Sequence, residues 1–248
     1  LNAEDFGEYQ TTVSDMFSRE LWSMQHVYDH CVFYEKKENF KEVNTTTPIE
    51  MHGMKSEYTK RKFKFINIYN YIKITNHLLD NEEEIKKYFI DDKYSTSKFM
   101  TSTFLTNKIK VKKDILSKNK KNILKIDIAS FYPSIYTHTI PWVFMSKKEA
   151  KKDRKNGFYN ELDRYIQISQ DGETKGVPTG SGLTKFIVEM YQMKIDEKIA
   201  SDLKGIYFHR YVDDYHFYYN TEAEKEKILK TVYSVYAEVE LQINENKI

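Results

Sequence analysis

The chain has 248 residues, enough for one large domain or two small ones with a buried core. Hydrophobic residues make up 40% and charged residues 31%, a globular composition, and no apolar run reaches membrane-spanning length. A net charge of +2 excludes a uniformly basic nucleic-acid binder, so any cationic surface must be local; the single Cys31 excludes an internal disulfide and fits a reducing cytoplasm.

Helical spacing runs through Phe17–Phe33, where His26, His30 and Cys31 fall close together. No second ligand group at zinc-like spacing accompanies them, so they read as surface or core residues. Thr45–Met54, with Pro48 and Gly53, reads as a connector. Basic and apolar residues alternate through Tyr58–Tyr71, the pattern of a half-exposed strand. Its Lys60, Arg61, Lys62 and Lys64 either protect an edge or offer a cationic surface to phosphate. Residues 72–90 read as one helix, followed by a polar stretch, Tyr94–Thr106. Lys108–Lys125 carries eight lysines against one aspartate, and Lys147–Lys155 is a second basic run. Such runs are most often solvated faces, but flanking an acidic metal site they would make tracks for a phosphate backbone.

Ile123–Ile128 is a short strand carrying Asp127 near its end, where a buried acid is costly unless something positive meets it. Ser130 and Pro133 then suit the opening of a helix. Gly176, Pro178, Gly180 and Gly182 form a turn ahead of an amphipathic helix that Gly205 would stop. Glycines there let a ligand approach backbone N–H groups that favour anions. Tyr207–Tyr219 reads as two short strands joined by a tight turn that carries Asp213 and Asp214. Thr221 and Glu224 fit a capping box, its helix has clear core periodicity, and Leu241–Asn244 reads as a last strand.

From Ile123 the order is therefore strand, helix, hairpin, helix, strand, the split β-α-β-β-α-β arrangement. In that arrangement the first strand lies beside the hairpin in one antiparallel sheet, which brings Asp127 alongside Asp213.

These motifs together resemble a reverse transcriptase palm. DIASFYPSI is similar to motif A, GVPTGSGLTKFIVEMY to motif B, YVDD to motif C, and LQINENKI to a motif D ending in its lysine. The resemblance implies an α+β right-hand polymerase fold. Residues 121–248 would be the palm and residues 1–120 the N-terminal region and largely helical fingers, with no thumb. Where retroviral and group II intron members place Gln before the motif B glycine, this chain has Lys175-Gly176. The form G-V-P-T-G-S is more similar to bacterial abortive-infection (Abi) and related defence-associated reverse transcriptases. That group implies a role in anti-phage defence, synthesis of DNA without a template from a protein tyrosine in some members, and a C-terminal helical domain that this chain lacks. A homo-oligomer built through that domain is part of the same expectation.

The implied chemistry is transfer of a dNTP to a primer hydroxyl with two Mg²⁺ ions, for which Mn²⁺ can substitute. Asp127 and Asp213 would bridge the ions, Asp214 would assist, and the Ile128 carbonyl would add a ligand. Tyr132, or else Phe131, would gate against a ribose 2′-OH. Arg61 or Lys62 would meet the triphosphate, Gly176 and Gly180 would line the nucleotide site, and Lys247 would protonate the leaving pyrophosphate. The partners implied are dNTP, a DNA product, an RNA template in templated members and covalently primed protein in others, with no membrane. An RNA-templated enzyme of retron or intron type and a non-catalytic nucleic-acid-binding palm are the rival expectations. An RNA-dependent RNA polymerase shares the palm, but Tyr132 disfavours ribonucleotides.

Overall fold

The computed structural model describes residues 45–54, 56–96 and 120–248. The helix expected over Phe17–Phe33, with His26, His30 and Cys31, lies outside these residues, as does most of Lys108–Lys125.

The first described unit is an antiparallel hairpin of β1 (Ile49–Met54) and β2 (Lys60–Phe65), registered from Ile49 opposite Phe65 to Met54 opposite Lys60. The connector expected at Thr45–Met54 is therefore a strand from Ile49 onward, with Pro48 just before its first residue, where no ladder donor is needed. Helix α1 (Ile68–Leu79) takes over the end of the stretch read as a strand. Asn67 decides the boundary, because its side chain caps the helix by accepting from the Tyr69 N–H at 3.0 Å. The single helix expected over 72–90 is two, α1 and α2 (Glu82–Asp91), broken at Asp80 and Asn81.

The second unit is a three-stranded antiparallel sheet of β3 (Asn122–Asp127), β4 (Tyr207–Tyr211) and β5 (Asp214–Tyr219), in the order β3-β5-β4. Between β3 and β4 run α3 (Phe131–Ser134), α4 (Thr139–Phe144), α5 (Lys147–Lys152), α6 (Phe158–Ile168) and the long α7 (Gly182–Asp202). Pro133 is the third residue of α3 rather than its first, and Ser130 enters it with φ 47 and no side-chain cap. Helix α8 (Glu222–Glu238) follows β5 and opens on the Thr221–Glu224 capping box, each side chain bonding the other's backbone.

The last strand expected at Leu241–Asn244 is reduced to one bridge between Ile128 and Ile243. Two backbone bonds hold it there, from Ala129 to Gln242 and from Asn244 to Asp127, each 2.8 Å. Glu240 enters it at φ 60 and a 3₁₀ turn, Glu245–Lys247, leaves it, so there is no room for a longer ladder. With that segment beside β3, the spatial order is the one expected of the split arrangement.

Strand parity sorts the sheet into two faces. Leu124 and Ile126 of β3 oppose Phe217 and Tyr215 of β5, all buried in one core with Ile187 and Met190 of α7 and Ile228 and Val232 of α8. The alternate residues, Asp127 opposite Asp214 and Lys125 opposite His216, occupy the other face.

Candidate active site

Three carboxylates meet at one end of that second face. Asp127 ends β3, Asp214 begins β5 directly opposite it, and Asp213 stands in the turn just before. One oxygen from each lies within 4.8 Å of the others. Asp127 is buried, Asp213 half-buried and Asp214 exposed, so the cluster opens to solvent on one side. The expected neighbour of Asp127 was Asp213; the register partner is Asp214, because β4 pairs through Tyr211 with Asp214 and leaves Val212 and Asp213 as the two turn residues.

That turn is strained. Val212 has φ 57, a left-handed conformation that a β-branched residue rarely adopts. Arg210 holds it, donating from Nη1 to the Val212 carbonyl at 2.9 Å. The guanidinium is fully buried and fixed from α7, by Glu189 at 2.8 and 3.2 Å and by Asp196 at 2.8 Å. Asp196 also accepts from the Tyr215 hydroxyl at 2.5 Å, which in turn accepts from Tyr236 at 2.8 Å. The opposite edge of β4 is tied down by Thr96, whose N–H donates to the Arg210 carbonyl at 2.7 Å.

Electrostatics at the cluster follow from crowding. Burial is the main cause pushing both Asp213 and Asp214 above the usual carboxylate range, and the charge on Asp127 adds to it in each. The counter-charge is Lys247, whose Nζ lies 2.7 Å from Asp127 Oδ2 and is held more firmly protonated by it. Asn244 donates to the same oxygen at 3.2 Å. Converging carboxylates with a solvent opening form a hard-oxygen donor set, which fits Mg²⁺ or Mn²⁺ rather than a soft metal. Ile128 follows Asp127 directly and is placed by its bridge to Ile243.

The other expected residues separate clearly. Phe131 is buried in the core, whereas Tyr132 is only half-buried, its ring edge-on to Phe131 at 5.3 Å. Burial raises the Tyr132 phenol well above its ordinary range, with Glu189 and Asp213 adding to the effect. Lys62 is engaged by Glu50 at 2.5 Å, while the exposed Arg61 makes no ion pair among the described residues. Gly176 (φ 83) and Gly180 do sit in a turn ahead of α7, but their N–H groups are not free for an anion. Gly176 donates to Ile135 and Gly180 to Lys64, each at 2.8 Å. The close approach at Gly180 is made by protein, since a Cβ there would lie 2.7 Å from the Phe65 ring and 2.8 Å from the Lys64 carbonyl. These contacts dock the glycine turn on β2, and with it Arg61 and Lys62.

Comparison with known families decides the class. The reverse transcriptase (RNA-dependent DNA polymerase) family model matches residues 54–248.

The chain belongs to the reverse transcriptase family.

No curated protein matches the chain. As a reverse transcriptase it is an RNA-directed DNA polymerase with nucleic acid and deoxynucleotides as substrates, and its sheet and helices are those of a right-hand polymerase palm. No described helix is long and apolar enough to cross a membrane.

Two residues that support the carboxylate cluster, Asn244 and Arg210, had escaped the sequence reading. Asn244 looked like the end of a strand. Arg210 fell within the hairpin without a role, yet it shares strand parity with the buried Phe208. Glu189 and Asp196, seven apart on α7, lie on one helical stripe, so two acids facing an inward arginine was a readable signal.

Proposed function

We propose that this reverse transcriptase extends a primer hydroxyl with dNTPs at Asp127, Asp213 and Asp214, as the polymerase core of a bacterial Abi-type defence enzyme. The observation that carries the chemistry is the convergence of the three acids within 4.8 Å on a solvent-open sheet face. Asp127 and Asp213 would hold the divalent ions, with Asp214 assisting and the Ile128 carbonyl as a further ligand. When bound, such ions activate the attacking hydroxyl and neutralise charge on the leaving group.

The chain's own residues do the rest. Tyr132 stands against the sugar edge and excludes a 2′-OH, which sets the preference for deoxynucleotides. Arg61, unpaired at the docked hairpin, meets the triphosphate, with Lys62 beside it once released from Glu50. Gly176 and Gly180 shape the floor of the nucleotide site by letting the turn close on Pro133 and on β2. The primer hydroxyl gives up its proton to solvent as its oxygen bonds to the α-phosphorus and the bond to pyrophosphate breaks, and Lys247 gives the leaving group a proton that it regains from solvent. We assign residues 1–120 to the N-terminal region and fingers, residues 121–248 to the palm, and the setting to the cytoplasm.

The Abi assignment rests on G-V-P-T-G-S and on Lys175 in the place of a template-contacting Gln, and it favours untemplated synthesis primed from protein. Purified full-length protein given labelled dNTPs, with and without primer and RNA template, tests it. Label appearing on protein without template supports the Abi reading. Strict dependence on an RNA template moves the enzyme to the retron or intron type, and no incorporation under any condition makes it a non-catalytic palm.

A further inference from the structure

A cavity of about 560 Å³ lies among α4, α5 and α6, and it shares no lining residue with the carboxylate cluster. Its wall carries Lys147, Lys151, Arg154 and Arg164 against only Asp163 and Glu240. Both acids are already engaged. Asp163 is buried and accepts from His138 Nδ1 and from Gln167, each at 2.6 Å, while Glu240 lies 3.8 Å from Lys147. Lys151, Arg154 and Arg164 make no ion pair among the described residues.

The fold brings these cations together rather than leaving them on a mobile loop. Lys151 is on α5, which opens on a complete Ser146–Glu149 capping box, and Arg164 is on α6. Arg154 sits in the tight turn between them. There Asp153 accepts from Asn156 at 2.8 Å, and the buried Asn160 of α6 clamps the Asp153 carbonyl at 2.7 Å. Three unpaired cations on one concave wall repel one another and focus a positive potential into the cavity, which a bound anion relieves. Arginine forks match phosphate oxygens in particular. His138 adds a ring whose Nδ1 is fixed by Asp163, so that its orientation is set in advance.

The cavity is also aromatic. Tyr136 and Trp142 meet edge to face at 6.0 Å within it, and Lys147 holds its ammonium 3.8 Å from the Trp142 ring centre. A ligand that presents phosphate to the arginines and a planar ring to the aromatics satisfies both halves of the wall. A bare phosphate or a lipid headgroup would leave the rings unused. We infer that this cavity binds a nucleotide unit, phosphate on Lys151, Arg154 and Arg164 and base against Trp142 and Tyr136, at a second site apart from the carboxylate cluster. A free nucleotide and one unit of a single strand share that chemistry.

Trp142 is a reporter at the site, and the chain's other tryptophan, Trp22, is removed as Trp22→Phe. The full chain in EDTA, where metal-dependent nucleotide binding is silent, is titrated with dATP and separately with a short single-stranded oligodeoxynucleotide. The expected result is saturable quenching of Trp142 by at least one probe. The Arg154→Glu, Arg164→Glu double variant, at two exposed positions, should weaken it by about tenfold or more with unchanged circular dichroism. Asp213→Asn should leave it unchanged. Equal affinity for both probes assigns a free nucleotide, and much tighter oligonucleotide binding assigns a strand. No quenching by either probe, or quenching that the double variant leaves untouched, overturns the inference.

Discussion

Lys247 places its ammonium 2.7 Å from Oδ2 of Asp127, so the cation at the end of motif D occupies the carboxylate that a metal ion would need. The two compete. Lys247→Met is expected to lower the Mg²⁺ concentration needed for half-maximal activity, because Asp127 is freed. It should also lower kcat, by roughly 10²-fold, if Lys247 protonates pyrophosphate. Steady-state titration with Mg²⁺ separates the two effects, and an unchanged kcat removes Lys247 from proton transfer.

Arg210 balances two buried acids and braces Val212, so its loss leaves Glu189 and Asp196 without their partner. Arg210→Met should destabilise the fold by about 3–5 kcal/mol in chemical denaturation. Adding Glu189→Gln and Asp196→Asn should recover part of that loss, because the unpaired charges are then gone. A triple variant no more stable than Arg210→Met would contradict a charge-balance role.

Asp92 supplies a pH signature from outside the carboxylate cluster. It accepts from the Tyr94 and Ser95 N–H groups at 3.1 Å each, yet burial pushes it up to about 6, against an opposing pull from Arg210. Because the folded value lies above the unfolded one, the fold binds this proton more tightly than the open chain. Stability contributed by this group is therefore fully present at low pH and is lost as pH rises from about 4 through about 6. Asp92→Asn should be more stable than the parent above that window, by on the order of 2 kcal/mol, and should show no advantage below it. Thermal melts across pH test this, and a gap that does not change with pH would refute it.

Much of this site was legible because local chemistry and tertiary position agreed. The capping box at Thr221 and Glu224, the strand around Ile123–Ile128 and the hairpin within Tyr207–Tyr219 each follow from neighbours in sequence. The split arrangement then placed Asp127 against the hairpin. What stayed hidden depends on distant partners. Asp214, not Asp213, opposes Asp127 because the turn length sets the register, and the glycines of 176–180 answer to Pro133 and β2 rather than to open space. The strand expected after α8 failed for a local reason, the left-handed Glu240 at its start.

Tyr132 is half-exposed while Phe131 is buried, so only the tyrosine has a face to offer a sugar. Tyr132→Ala should reduce discrimination against ribonucleotides by roughly tenfold or more, read as the ratio of kcat/KM for dNTP and NTP. Unchanged discrimination would place the gate elsewhere.

The most direct test of the carboxylate cluster is dNTP incorporation by Asp213→Asn in Mg²⁺, with circular dichroism to confirm the fold. A two-metal centre predicts that incorporation is abolished while the fold is retained, since neutral Asn cannot hold the cation charge that three converging acids share. Full activity in that variant would contradict it.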